Sequence, residues 1–333
     1  MFNFKTKLAA LVFIICFIVN ARIFDKGLIC AYAEDAKKLD VKKLTSVEIK
    51  ENEGGELTVG KDKIKFMPQS FTVKDGFIYA INRYEPLIAK FSIDGTPAGV
   101  IKLKHAKDNK FDARFFIDIM MDKNNLIYLL EQSTATLRLA DLSGNIDNFY
   151  MMSAKEGAIV QRAWKMPGSF FLIYDKGLHN AYIRDIKHTL IREEPDKAGS
   201  EFICEADSLI YSNRKIVMLE ERKGIFEAVI TPVGGSDEIA SMNVWKDAQA
   251  VVALDADTAG NYYFYVEKKA GSSIDVISEK NKKFELKSFA VDKLNFLDDA
   301  TKNCEAYEPG KLIMLYSDGK NACLGEIKID GIK

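Results

Sequence analysis

From Met67 to Leu103 the apolar and polar positions fall into four short runs that predict four antiparallel strands. Ser70 to Lys74 alternates around Phe71 and Val73, Asp75-Gly76 supplies a tight turn, and Phe77 to Asn82 returns as a more hydrophobic strand. Two apolar runs joined by such a dipeptide are the strongest short-range hairpin signal. Leu87 to Ile93 ends at a second turn dipeptide, Asp94-Gly95, and Ala98 to Leu103 closes the unit with the polar alternation of an outer strand.

The hydrophobic second strand of this unit recurs along the chain. Its copies are Ile78 to Asn82, Ile127 to Glu131, Phe171 to Asp175, Val217 to Glu221, Tyr263 to Glu267 and Ile313 to Ser317, at intervals of 49, 44, 46, 46 and 50 residues. A turn signal precedes nearly every copy: Asp75-Gly76, Asn124-Asn125, Pro167-Gly168, Asn213-Arg214, Gly260-Asn261 and Pro309-Gly310. Four short strands repeated every 40 to 50 residues or so are the signature of a β-propeller. The predicted fold is therefore all-β, a six-bladed propeller of four-stranded antiparallel blades.

The last unit is one strand short, since only Ala322 to Ile329 follows Ser317 before Asp330-Gly331. Leu44 to Lys50 is a free strand upstream of the first full blade, and the ring is expected to close by pairing it into the last one. Such closure removes an exposed edge.

At the level of motif the chain resembles the NHL-repeat and TolB-like six-bladed propellers. The resemblance rests on Asp75-Gly76-Phe77-Ile78-Tyr79 and Phe91-Ser92-Ile93-Asp94-Gly95, and more loosely on Asp122 to Tyr128 and Ala140 to Ile146. It implies the fold and carries over no catalytic residue. Propellers of this kind mostly serve as binding platforms, and a minority are hydrolases or lyases.

Three segments follow. Residues 1–33 read as a secretory signal: Lys5 and Lys7 precede the apolar run Leu8 to Val19, too short to span a bilayer, and Ala31-Tyr32-Ala33 offers a cleavage site before Glu34. The alternative is an uncleaved anchor. Lipidation at Cys30 is disfavoured because bulky Ile29 stands where a small residue is expected. Residues 34–43 form a charged leader, and residues 44–333 form the single propeller domain. Lys104 to Arg114 and Lys293 to Asn303 read as loops or brief helical turns at blade-to-blade crossovers. The expected location is exported: periplasmic, cell-surface or extracellular.

Export alters the reading of the cysteines. Cys204, Cys304 and Cys323 remain after the signal, and a strand between Cys304 and Cys323 holds them too far apart for a disulfide. The whole chain carries a net charge of −1, and residues 1–33 contribute four basic and one acidic side chain, leaving about −4. That balance gives no reason to expect nucleic acid or stable membrane insertion of the mature chain. A closed ring is expected to be a monomer.

Inner strands line the channel of a propeller, so acidic residues on or just beyond them are the candidate ligand-binding positions: Asp118, Asp122, Asp207, Asp255, Asp257 and Glu305. Converging from different blades, such hard oxygens suit Ca²⁺, as in the gluconolactonase-like propellers. The competing reading places them in turns and solvated strand ends. The three histidines, His105, His179 and His188, are too few for a metal-dependent lyase fed from separate blades. There is no Gly-x-Ser-x-Gly; Gly271-Ser272-Ser273 and Gly234-Gly235 read as hairpin turns. Of the consecutive aromatics Tyr262 to Tyr265, one alternating half is expected in the core and the other half is available to line a groove; Trp164 and Trp245 are weighed in the same way. The sequence predicts a binding or scaffolding module for a protein or glycan partner in the cell envelope, without a resident cofactor. The alternative is a lactonase-like hydrolase with a Ca²⁺ site in the channel.

Overall fold

The computed structural model describes residues 38–49, 54–105, 116–151, 159–166, 170–177, 180–185, 202–203, 209–212, 215–222, 225–233, 240–280, 283–297 and 300–332. The signal and most of the leader, Cys204, Asp207, His179 and His188 lie outside the described residues, as does the side chain of His105. No helix among the described residues is long and apolar enough to cross a membrane.

Six antiparallel sheets follow one another along the chain, each built from consecutive strands. Blade 1 is Pro68–Lys74, Phe77–Asn82, Leu87–Ser92 and Pro97–Lys102. Blade 2 runs from Phe116–Met121 to Asn145–Met151, blade 3 from Val160–Lys165 to Phe202–Ile203, blade 4 from Leu209–Ser212 to Ala240–Trp245, and blade 5 from Ala248–Ala256 to Lys283–Val291. Blade 6 contributes Cys304–Glu308, Lys311–Ser317 and Asn321–Lys328, and its outer strand is Lys42–Glu48 from the N-terminal side, paired antiparallel with Asn321–Lys328. The ring is closed as the chain pattern requires, two residues earlier than expected.

Each blade is hydrophobic on both faces because it is packed on both. Six buried clusters correspond to the six seams between neighbouring blades. This explains the fate of the consecutive aromatics. Tyr263 and Tyr265 enter the seam with blade 6, while Tyr262 and Phe264 enter the seam with blade 4, so neither half lines a groove. Trp164 and Trp245 are also buried in seams. Burial of this kind stabilises each large side chain by about 1.5–3 kcal/mol.

Two features differ from the expectation. A hairpin of Gly55–Val59 and Asp62–Phe66 precedes blade 1 and packs Leu57, Val59, Ile64 and Phe66 against Val47 and Phe91, covering the closing seam. The second concerns Lys293 to Asn303, which is more than a loop. Asn295–Phe296 pairs with Ser317 and Tyr316, the chain then leaves the ladder, and it rejoins where Asn303 O accepts from Leu315 N and Cys304 pairs with Met314. The inner strand of blade 6 is thus interrupted by an insertion. Lys104–His105, likewise placed in a loop by the pattern, adds a short parallel strand to the outer edge of blade 2.

Candidate functional site in the central channel

The inner strands are irregular where they meet the channel. Register shifts leave Gln69, Ile117 and Gln161 unpaired in blades 1 to 3, and the next residues, Ser70, Asp118 and Arg162, pair with the fourth residue of the hydrophobic second strand: Ile81, Leu130 and Tyr174. A bulge re-aims the side chain beside it. One repeated device thus places a polar residue at the same level in three adjacent blades. A further shift at Leu254 of blade 5 stands beside Asp255.

The insertion in blade 6 fills part of this channel. Thr301 N–H donates to Gln69 O at 2.9 Å, and its hydroxyl donates to Ile117 O. Lys302 Nζ donates to Phe71 O at 2.8 Å and Ile119 O at 3.4 Å, and pairs with Glu305 Oε2 at 3.0 Å. The plug thus satisfies alternate carbonyls on the channel edges of blades 1 and 2, which would otherwise be left without donors. Glu305 Oε1 in turn accepts from Val73 N–H at 2.8 Å and from the Thr72 hydroxyl at 3.1 Å.

The channel brings together Asp118, Asp255 and Glu305 around Lys302. Asp118 accepts from Ser70 Oγ at 2.5 Å, from its neighbour Ile119 N–H at 2.9 Å and, weakly, from Ala163 N–H of blade 3 at 3.5 Å. Asp255 accepts from Ala306 N–H at 2.8 Å. It retains partial access to water but is surrounded by protein, and burial together with the nearby Glu305 charge pushes its carboxyl up to about 6. Burial works against the Lys302 ammonium, yet Glu305 and Asp118 outweigh it and hold its pKa above the ordinary lysine value. Burial and the charge of Asp255 raise the Cys304 thiol well above the ordinary range.

Asp257 and Asp122 have other employment. Asp257 Oδ1 accepts from Ala259 and Asn261 N–H groups, and its Oδ2 accepts from the Asn261 amide at 2.7 Å and the Tyr263 hydroxyl at 2.5 Å. Asp122 accepts in the same way from Asn124 and Leu126, and Asp141 from Ser143 and Asn145. These are aspartate-capped turns, with Asn125, Gly144 and Gly260 supplying positive φ at the fourth position. Both residues therefore follow the turn reading.

Among the described residues the channel also holds the cations Arg162 and Lys302, neither of which the pattern of acidic residues marks. Arg162 was findable by counting back from the hydrophobic strand to the level of Asp118. Lys302 left only a weak trace, the long interval of 50 residues between the fifth and sixth repeats. No group of three or more His, Cys, Asp and Glu among the described residues has the geometry to hold a metal ion. An ammonium stands between Glu305 and the blade carbonyls, so this donor set does not fit Ca²⁺.

No protein-family model matches this chain, and no curated protein does. Solved structures do. A member of the DUF4221 family from Bacteroides vulgatus superposes with a TM-score of 0.51 at 11% identity, over 88% of this chain and 99% of that one. A Bacteroides fragilis protein named as a candidate exported protein gives 0.50 at 8% identity, over 91% and 100%. Virginiamycin B lyase from Staphylococcus aureus gives 0.44 at 12% identity, over 84% and 88%. The likeness is one of fold.

Proposed function

We propose that this protein is an exported binding module that engages a protein partner through one rim of the ring, in the cell envelope or outside the cell. The observation that carries the reading is a set of large apolar side chains exposed together. Leu126 immediately precedes the second strand of blade 2 and Phe170 is the first residue of the second strand of blade 3, both on the same rim, and Leu142 lies on that rim in the outer turn of blade 2. Beside Leu142 a groove of about 720 Å³ runs between the tip of the extra hairpin at Val59 and Gly60 and the outer strand of blade 1. Two of the three, Leu126 and Leu142, are aliphatic, which favours a protein over a glycan, since glycans are bound mainly through aromatic faces and hydroxyl partners. The plugged channel and its Lys302 ammonium favour a platform over a metal-dependent hydrolase.

The test is affinity capture from the envelope fraction with the wild-type chain and the double variant Leu126→Asp, Phe170→Asp, followed by calorimetry with the captured protein. A partner that binds the wild type and not the folded variant supports the reading. Equal capture by both, or binding confined to a glycan panel, overturns it.

A further inference from the structure

Among the described residues, the insertion bonds to the channel wall at blades 1 and 2 and makes no bond to blade 3. The inserted Thr301 and Lys302 close blades 1, 2 and 6 with the bonds described above. In blade 3, Arg162 is only 6% exposed, and its Nε–H is buried without a hydrogen-bond partner. No carboxylate of the described residues forms an ion pair with it. The guanidinium lies over the Trp164 indole, 4.7 Å from the ring centroid. Stacking fixes the plane of the fork and leaves its in-plane N–H directions open.

Arg162 stands on the inner strand of blade 3 at the level of Asp118, whose Oδ2 lies 3.5 Å from the neighbouring Ala163 N, and its charge is felt at Asp255 of blade 5 and Lys302 of blade 6. Among the described residues no acceptor bonds to the guanidinium, and Asp255, engaged by Ala306 N–H, forms no ion pair with it. Asp118 serves Ser70, Ile119 and Ala163, and Glu305 serves Lys302, Thr72 and Val73. A buried cation left without an acceptor is costly, and an external anion is the chemistry that would relieve it.

We propose that the central channel binds a small organic monocarboxylate, with its carboxylate docked on Arg162. A planar carboxylate matches the guanidinium fork with two parallel hydrogen bonds. Asp118, Asp255 and Glu305 nearby disfavour a dianion, so inorganic phosphate is rejected on charge. This site is separate from the rim surface, and neither reading depends on the other.

The experiment titrates the whole protein with sodium acetate, acetamide, sodium phosphate and sodium chloride at matched ionic strength, read by calorimetry and thermal unfolding. Acetate is expected to bind saturably and raise the melting temperature. Acetamide, the same shape without the charge, is expected to do neither, and phosphate no more than chloride. Arg162→Gln is expected to weaken acetate binding by roughly tenfold or more. Should that variant not fold, Asp255→Asn serves instead: removing a like charge from the facing wall is expected to tighten acetate. Acetate acting no better than chloride or acetamide, Arg162→Gln binding like the wild type, or Asp255→Asn weakening acetate would each overturn the proposal.

Discussion

Lys302 and Glu305 meet at 3.0 Å near the centre of the ring, three residues apart in the chain, and together tie blade 6 to blades 1 and 2. Both are largely buried, and each has further partners across a blade seam: Phe71 O and Ile119 O for the lysine, Val73 N–H and the Thr72 hydroxyl for the glutamate. Removing one member leaves the other charge uncompensated. Lys302→Met is therefore expected to destabilise the protein by about 3–5 kcal/mol. The double variant Lys302→Met, Glu305→Gln is expected to recover part of that loss, because the buried charge goes with its partner. Equilibrium urea unfolding of the three proteins checks this; a double variant no more stable than the single one would contradict it.

Asp255 gives the stability a pH dependence of unusual sign for a carboxylate. Its folded-state pKa of about 6 lies above the value near 3.9 of an unfolded aspartate. Between those values the folded chain retains a proton that the unfolded chain has lost. Stability is therefore full, for this group, below about pH 4 and falls as pH rises to about 6, by about 2–3 kcal/mol. Asp94, held down to about 2 by the Ser92 hydroxyl and the Thr96 N–H, works in the opposite direction but below pH 4, as does Asp318 bonded to Lys43 and Asn321. Urea midpoints between pH 4 and 7 should therefore fall for the wild type and stay level for Asp255→Asn. A wild-type profile that is flat or rising across that window would be incompatible with a buried, neutral Asp255.

The two described thiols are single and buried. Cys304 and Cys323 sit on strands either side of Lys311–Ser317, and no bridge joins them. Burial raises both thiols, Cys304 most. Thiolate chemistry at both is accordingly suppressed. Peptide mapping after brief treatment with iodoacetamide should find both residues unmodified in the native protein and both modified in denaturant. Native labelling of Cys304 would show that the channel opens far more than this packing allows.

Much of the fold was legible because its signals are local. A hydrophobic strand behind a turn signal is visible in nearly every repeat, and Asp75-Gly76 does adopt the two positive φ values that such a hairpin turn requires. Closure followed from counting strands. The site was legible only in half. Asp118, Asp255 and Glu305 were named from charge and position, but Asp257 has the same sequence character and spends its carboxylate on a hairpin. What separates them is a bulge of one residue and the depth at which a side chain enters the channel, neither of which is written in a hydrophobic pattern. The plug was missed for a related reason: Lys293 to Asn303 reads as a crossover between blades, and its function comes from carbonyls more than 180 residues away in sequence at Ile117 and Ile119.

The closing seam supplies the last test. Gly95 occupies φ +92° in the outer turn of blade 1, and a Cβ there would stand 2.5 Å from Leu44 O on the closing strand. Both the backbone conformation and the close approach require glycine. Gly95→Ala is expected to cost about 1–3 kcal/mol and to act by pushing the closing strand away from blade 1. Gly76 makes the comparison clean: it shares positive φ, at +76°, but a Cβ there meets nothing within 4 Å. Gly76→Ala carries only the conformational cost, about 1 kcal/mol. Hydrogen exchange separates the two mechanisms. Gly95→Ala should speed exchange in Lys42–Glu48 and in its partner Asn321–Lys328, while Gly76→Ala should leave those strands protected. Equal protection in both variants would mean that the seam is held by the hairpin at Gly55–Phe66 alone.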